Sequence, residues 1–232
     1  MPPLRIPPEE YSAADDAFAK QLRGGGPVAI VATLILFIGN DYFVPIGALI
    51  ALLWAWRSHT PWHELGFVRP RSWVLTVLGG IVFGVAFKFL MKAIVMPLLG
   101  AEPINQAYHY LAGNRAALPG AIYTLIVAAG FGEEVVYRGF LFTLLRKVFG
   151  QGPASQAMIV TTSASIFGLA HYWVQGIAGV EQAVVTGLVF GTMFVVTGQI
   201  WIGMFAHAAF DLTALAMIYL NLETRVAHLI FR

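Results

Sequence analysis

The sequence predicts an all-α fold, a polytopic transmembrane helical bundle, and three observations lead to this fold class. Of the 232 residues, 58% are hydrophobic and only 11% are charged, whereas a soluble domain carries about 25% charged residues. The mean hydropathy is +0.74. Long apolar runs recur from Pro27 to Leu220, and they lack the alternation of membrane β-strands. This composition excludes a soluble enzyme, a disordered chain and a nucleic-acid-binding protein.

A transmembrane helix needs about 20 predominantly apolar residues, and six runs of the chain meet that requirement. Asn40, Asp41 and Pro45 interrupt the first run, which crosses the membrane either once as a kinked helix or twice as two short ones. The bundle therefore has about six spans, or seven in the second case. The predicted spans are Val28–Trp56, Trp73–Leu99, Leu118–Leu145, Ala154–Tyr172, Val180–Thr197 and Ile200–Leu220.

These runs divide the chain into four segments. Residues 1–26 form a polar N-terminal tail, in which Tyr11–Arg23 is predicted to be a short surface helix. Residues 27–117 hold the N-terminal transmembrane helices and their loops, and residues 118–220 form the transmembrane core that carries the candidate catalytic residues. Residues 221–232 are a C-terminal tail.

Charge and cysteine content limit the chemistry that is open to this chain. The net charge of +2 is too small to indicate a polyanionic partner such as a nucleic acid. The chain has no cysteine, which excludes disulfides, thiolate nucleophiles, iron–sulfur clusters and cysteine-based zinc sites. Polar chemistry must therefore come from Glu, Asp, His, Ser, Thr or Tyr.

Two glutamates and an arginine lie in the middle of the third predicted span, where ionisable groups are costly and usually mark a function or an internal partner. Glu134 and Arg138 are four residues apart, the spacing of an ion pair on one helix face. Consecutive helical residues point about 100° apart, so Glu133 faces elsewhere and is left without a local counter-charge. A carboxylate in that situation can accept a proton, which makes Glu133 the candidate general base.

Two histidines and an aspartate lie in the later spans. His171 ends the fourth span, and His207 and Asp211 are four residues apart in the sixth. In this pair, either Asp211 orients the imidazole of His207, or both side chains ligate a metal. A rise of about 1.5 Å per residue places Glu133, His171 and His207 within roughly 14 Å of one another in membrane depth. This spread permits a single polar intramembrane pocket.

Three motifs resemble those of the CPBP family. They are Glu-Glu-x-x-x-Arg at 133–138, Phe-x-x-x-His at 167–171 and His-x-x-x-Asp at 207–211, in this order on successive membrane helices. That family contains the type II CAAX prenyl endopeptidases and the bacteriocin-processing or immunity (Abi-like) proteins. The resemblance covers about 118–220. It implies that the chain is an intramembrane protease, and therefore a hydrolase. It also implies a multi-pass integral membrane protein of the bacterial inner (plasma) membrane.

Carried over residue by residue, the resemblance implies a role for each member of these motifs. Glu133 would activate the attacking water, and His171 would help to hold or deprotonate it. The other glutamate and the arginine of the first motif would be its structural ion pair. His207 and Asp211 would stabilise the oxyanion, although the commonest family pattern has asparagine at the latter position. An ionised aspartate cannot donate a hydrogen bond, so Asp211 is either protonated, or orients His207 as the sole donor, or ligates a metal.

Several alternatives stay open at this point. The preferred interpretation is a glutamate-type endopeptidase that requires no cofactor, and the alternative is a zinc metalloprotease with Glu133, His171, His207 and Asp211 as ligands. The expected partners are membrane lipid and a membrane-associated peptide or lipidated protein, of CAAX type if it is prenylated. Two other functions use the same residues, namely a proton-coupled transporter with a relay and a non-catalytic peptide-binding or immunity protein.

Two further regions carry weaker expectations. Lys88 and Lys92 lie towards the far end of the second span and are expected either to snorkel to the interface or to line the cavity. The amphipathic stretch Ile104–Leu111 is predicted to be a surface helix, and His109 within it is a candidate for substrate gating.

Overall fold

A computed structural model describes residues 13–24, 26–27, 31, 33 and 44–231. Secondary structure in this part of the chain is entirely helical, which confirms the predicted all-α class. The long helices are α3 (Trp73–Leu98), α4 (Arg115–Phe149), α5 (Pro153–Ala170), α6 (Tyr172–Thr197) and α7 (Ile200–Tyr219). The shorter helices are α1 (Ala13–Arg23), α2 (Val44–Arg57) and α8 (Glu223–Ala227).

The expected number of spans is too high for the described residues. Four helices, α3, α4, α6 and α7, are long and apolar enough to cross a membrane. The first expected span lies largely outside the described residues. Its described part is α2, whose 14 residues extend about 21 Å, less than the roughly 30 Å of a bilayer core. Among the described residues, the count of about six spans, or seven, is therefore corrected to four, and the first expected span is not part of this correction.

The fourth expected span forms a helix, α5, but is too polar to count among the four. Its hydroxyl groups are satisfied within the protein. The hydroxyl of Thr161 donates to the carbonyl of Ala157 at 2.9 Å, and that of Ser163 donates to the carbonyl of Tyr137 at 3.2 Å. Buried polar groups need such partners. Composition alone therefore overestimated the apolar character of this helix.

The helix that carries the first motif departs from regular α-helical geometry. Its segment Thr124–Leu141 is a π-helix, in which hydrogen bonds run from residue i to i+5, and π-helical turns are frequent at functional sites. Regular α-helix resumes at Phe142–Phe149. A second, single π-turn, Met91–Val95, interrupts α3.

Helix α7 is the centre of the bundle. It packs along α3 on one side and against the π-helical part of α4 on another, while α5 packs on α6. The crossing of α4 and α7 is close because Gly130 faces Ala208: a Cβ at Gly130 would lie 2.8 Å from the Cβ of Ala208. This contact places the glutamates of α4 beside the histidine of α7.

The segments expected to be tails dock on the bundle where the structure describes them. In α1 the side chains of Ala19 and Leu22 are buried. After α7 the chain turns back, and α8 packs on the π-turn of α3 with Glu223 and Val226 buried. The stretch that was expected to be a surface helix is the 3₁₀ segment Gln106–Leu111.

Candidate active site

A cavity of about 390 Å³ opens among α4, α7, the start of α6 and the 3₁₀ segment. Its lining includes the four residues that the motifs single out as catalytic candidates. Further polar side chains from α3, α6 and the 3₁₀ segment complete the wall. The polar lining consists of Lys88, Asn105, Tyr108, Tyr110, Thr124, Glu133, His171, Gln175, Gln182, Thr186, His207 and Asp211.

His207 connects the acidic residues of two helices. Its ring is buried, and its Nδ1 atom lies 2.8 Å from Oε1 of Glu134. Its Nε2 atom lies 3.6 Å from Oε2 of Glu133 and 3.5 Å from Oδ2 of Asp211. Because one imidazole meets three carboxylates, both of its nitrogens face acceptors.

Glu134 and Arg138 form the ion pair that the i, i+4 spacing suggests, with Nη1 2.9 Å from Oε1. Each side chain is only 1% exposed. The guanidinium carbon lies 4.8 Å from the ring centre of Phe167 and 5.7 Å from that of Phe190, so aromatic faces enclose the cation. The same Glu134 oxygen also meets His207, a cross-helix contact that the sequence analysis did not include.

Glu133 lies on the cavity side of the same helix, and 14% of its side chain is exposed. The expectation that it has no local counter-charge holds only for its own helix. In the folded protein His207 of α7 supplies a nitrogen 3.6 Å from its carboxylate. The correction follows from the close crossing of α4 and α7, which a sequence does not show.

His171 occupies the junction between α5 and α6. Its Nδ1 atom lies 2.8 Å from the carbonyl oxygen of Phe167. A carbonyl can only accept a hydrogen bond, so Nδ1 carries a hydrogen, and in the neutral ring Nε2 keeps a free lone pair. His171 lines the same cavity as Glu133 and Asp211, and its Nε2 is therefore available to hold or accept a proton.

Sequence reasoning missed most of the remaining polar wall. The hydroxyl oxygen of Tyr108 accepts a hydrogen bond of 3.4 Å from Gln175, and burial, together with the nearby Asp211 and Glu133 carboxylates, raises the pKa of Tyr108 to about 12. The neighbouring His109, the expected gating residue, is exposed and does not line the cavity. The available signal was an aromatic side chain within the predicted amphipathic stretch.

The two lysines of α3 have different surroundings. Lys88 lines the cavity, as one of the two expectations had it, and its Nζ donates to Oε1 of Gln182 at 3.0 Å. Lys92 instead forms an ion pair of 3.1 Å with Glu223, and the same carboxylate oxygen accepts the backbone N–H of Asn105. Charged residues inside an apolar span usually have a function or an internal partner, and each of these lysines has an internal partner.

The donor atoms do not match a zinc site in this arrangement. Within the described ranges, no group of three or more histidine and acidic side chains is placed to hold a metal ion. The Nδ1 atoms of His207 and His171 hydrogen-bond to Glu134 and to a backbone carbonyl, which leaves their Nε2 atoms as the nitrogens that could ligate a metal. Tetrahedral zinc needs ligands that converge at about 2.0–2.2 Å.

Membrane-length helices that converge on a buried cluster of carboxylates and imidazoles define an integral membrane protein with a polar intramembrane site. A family model described as type II CAAX prenyl endopeptidase Rce1-like matches residues 115–213. This segment runs from the start of α4 into α7 and contains all three motifs. This match agrees with the family resemblance of the three motifs. No curated protein and no solved structure matches the chain.

Proposed function

We propose that this protein is an intramembrane glutamate-type endopeptidase that hydrolyses a peptide bond of a membrane-associated, CAAX-type prenylated substrate. One observation carries the proposal. Of two adjacent glutamates, Glu134 is sealed against Arg138, whereas Glu133 opens onto the cavity that His171, His207 and Asp211 also line. An accessible carboxylate beside imidazoles is the arrangement that activates water for acyl transfer.

Water is activated by Glu133 in the first step. The carboxylate takes one proton from a water molecule, whose oxygen attacks the carbonyl carbon of the scissile peptide bond. The lone pair on Nε2 of His171 accepts a hydrogen bond from the same water and orients it. The products of this step are a protonated Glu133 and a tetrahedral intermediate that carries a negative oxygen.

His207 stabilises the oxyanion in this proposal. Three carboxylates surround its ring, and this supports an imidazolium that donates hydrogen bonds from both nitrogens. The Nδ1–H group is held by Glu134, and the Nε2–H group is available at the cavity. In this proposal Asp211 orients His207, which is the donor to the oxyanion, because an ionised carboxylate has no proton to donate.

Collapse of the intermediate completes the reaction. The carbon–nitrogen bond breaks, and the proton held by Glu133 moves to the leaving amine. The water has then been divided between the new carboxyl group and the new amine, and Glu133 returns to its ionised form. No step passes through a metal ion, so a chelator such as EDTA is expected to leave the rate unchanged, whereas loss of activity that zinc restores would favour the metalloprotease alternative.

The proposal is tested with Glu133→Gln in the purified chain, reconstituted in lipid nanodiscs with a fluorescent farnesylated CAAX peptide. Because general-base catalysis contributes about 10²–10⁴-fold, we expect kcat to fall by at least about 100-fold while the melting temperature stays within a few degrees. Glu181→Gln, which changes a glutamate of α6 that does not line the cavity, is the matched control and keeps the wild-type rate.

Other outcomes would replace the proposal. Full cleavage by Glu133→Gln removes its basis. A wild-type chain that binds the peptide without cutting it is a peptide-binding or immunity protein, and uptake driven by a pH gradient indicates a transporter. The location in the bacterial inner membrane that the family resemblance implies is tested by fractionation of expressing cells.

A further inference from the structure

Lys88 is a buried ammonium group inside the candidate active site. It lies near the middle of α3, and only 6% of the residue is exposed. Its neighbours across the cavity include Glu133, His207 and Asp211. A cation at this depth is costly unless something compensates for its charge. Neither the family motifs nor the water-activating steps described above use it.

The contacts of Lys88 leave part of its hydrogen-bonding capacity for a ligand. Its Nζ donates to the neutral amide oxygen of Gln182 at 3.0 Å and lies 4.6 Å from the ring centre of Phe210. An ammonium group has three donors. Among the described residues, no carboxylate lies within ion-pair distance of this nitrogen, whereas Lys92, one turn further along, is paired with Glu223 at 3.1 Å.

A small side cavity adjoins this nitrogen. Its volume is about 30 Å³, and it shares Lys88, Asn105 and Gln182 with the main cavity, while the ion pair of Lys92 and Glu223 lines its other side. That volume exceeds the roughly 10–15 Å³ that one water molecule requires, so the side cavity has room for a group larger than a single water molecule. The two amides and the ammonium group supply hydrogen-bond donors on its wall.

We propose that Lys88 binds the free C-terminal carboxylate of the substrate peptide, and that this contact makes the enzyme selective for a cleavage site near a chain end. The inference rests on the proposed endopeptidase function. A CAAX-type peptide ends three residues after its prenylated cysteine, a distance of about 10 Å in extended form. Its carboxylate therefore enters the same 390 Å³ cavity as the scissile bond.

A different role for Lys88 would have a different signature. If Lys88 only balanced the charge of Asp211, its loss would change the cleavage of every substrate to the same extent. A carboxylate-binding residue instead discriminates between a peptide acid and the corresponding amide, because only the acid carries the charge that the ammonium group binds.

The experiment compares a fluorescent farnesylated peptide with a free C-terminal carboxylate and the same peptide with a C-terminal amide, using the full chain in nanodiscs. The wild-type chain is expected to show a KM for the acid that is at least about tenfold lower than for the amide. Lys88→Gln raises KM for the acid to the value for the amide, so that the ratio of the two KM values falls to about one. Lys88→Arg, which keeps the positive charge, retains part of the preference for the acid over the amide.

Lys147→Gln is the matched control, since it removes a lysine of α4 that lines neither cavity, and it keeps the preference for the acid. Equal KM values for acid and amide in the wild-type chain overturn the inference, even if Lys88→Gln fails to fold. An equal loss for both peptides in Lys88→Gln overturns it as well.

Failure of the inference is distinct from failure of the proposed function. Binding of the acid and the amide is measured separately on Glu133→Gln, which does not need to cleave. Selective binding of the acid by a wild-type chain that never cuts it overturns the peptidase and supports the carboxylate site. Cleavage without any preference for the acid overturns the carboxylate site and supports the peptidase.

Discussion

His207 separates two environments that share its imidazole. On the Nδ1 side, Glu134 and Arg138 are each 1% exposed and enclosed by aromatic rings. On the Nε2 side, the side chains of Glu133 and Asp211 are 14% and 21% exposed and face a cavity. The comparison shows that two consecutive glutamates of one helix have different surroundings. Glu134 is sealed against Arg138 and the histidine, whereas Glu133 faces the cavity.

The helix crossing explains why adjacent residues differ so much. Consecutive residues of a helix point in different directions, so the two glutamates meet opposite sides of the His207 ring of α7. Gly203 of α7 accommodates the Glu134 carboxylate, since a Cβ there would lie 2.9 Å from Oε2 of Glu134. Glu133 is turned past this contact towards the cavity. The difference between the two sides is therefore a result of helix rotation and close packing.

The largest expected effect after Glu133→Gln concerns the sealed side. Arg138→Met removes the guanidinium from the buried Glu134 carboxylate, which keeps only His207 as a partner, and breaking a buried pair costs about 3–5 kcal/mol of stability. Thermal unfolding in detergent measures the change. The double variant Glu134→Gln with Arg138→Met, which removes both charges, is expected to recover part of the loss. A loss below about 1 kcal/mol for the single variant would show that the sealed side is not a structural pair.

The cavity side is tested at the position where this chain departs from the common family pattern. Asp211→Asn keeps a polar group near Nε2 of His207 and adds an N–H donor, so kcat should stay within about tenfold of wild type. Asp211→Ala removes the contact and should reduce kcat by more than that. If Asp211→Asn is as inactive as Glu133→Gln, the carboxylate itself takes part in the reaction.

The smallest expected effect is at the wall of the cavity, where Tyr108 lies. Its pKa is raised to about 12 in the folded chain, against about 10 in an unfolded one. Between pH 10 and pH 12 the folded chain keeps a proton that the unfolded chain loses. The free energy of unfolding is therefore unaffected below pH 10 and decreases as the pH rises from 10 to 12. The loss is about 1–2 kcal/mol after allowance for partial exposure.

Tyr108→Phe lacks this titration, and it is the reference for the measurement. Melting temperatures of the two proteins between pH 8 and pH 12 should diverge only above pH 10, where the wild-type chain declines more steeply. A difference that stays constant over this range would indicate that Tyr108 is solvated like an exposed tyrosine.

Sequence reasoning succeeded where the relevant contacts lie within one helix. The pairs Glu134–Arg138 and His207–Asp211 follow from an interval of four residues, and they are 2.9 Å and 3.5 Å apart in the structure. It was less successful with the number of spans. The hydroxyl side chains of α5 lie within an apolar run and donate to backbone carbonyls, and α5 is not among the four helices apolar enough to cross a membrane.

Hydropathy and residue spacing were sufficient to establish a helical membrane protein, its family motifs and the acidic and basic residues that belong to them. These properties depend on the local chain alone. Only the folded bundle brings His207 to both glutamates and places Lys88 in the same cavity. Relative helix rotation and depth are set by packing at contacts such as Gly130 against Ala208, and no periodicity within a single helix contains that information.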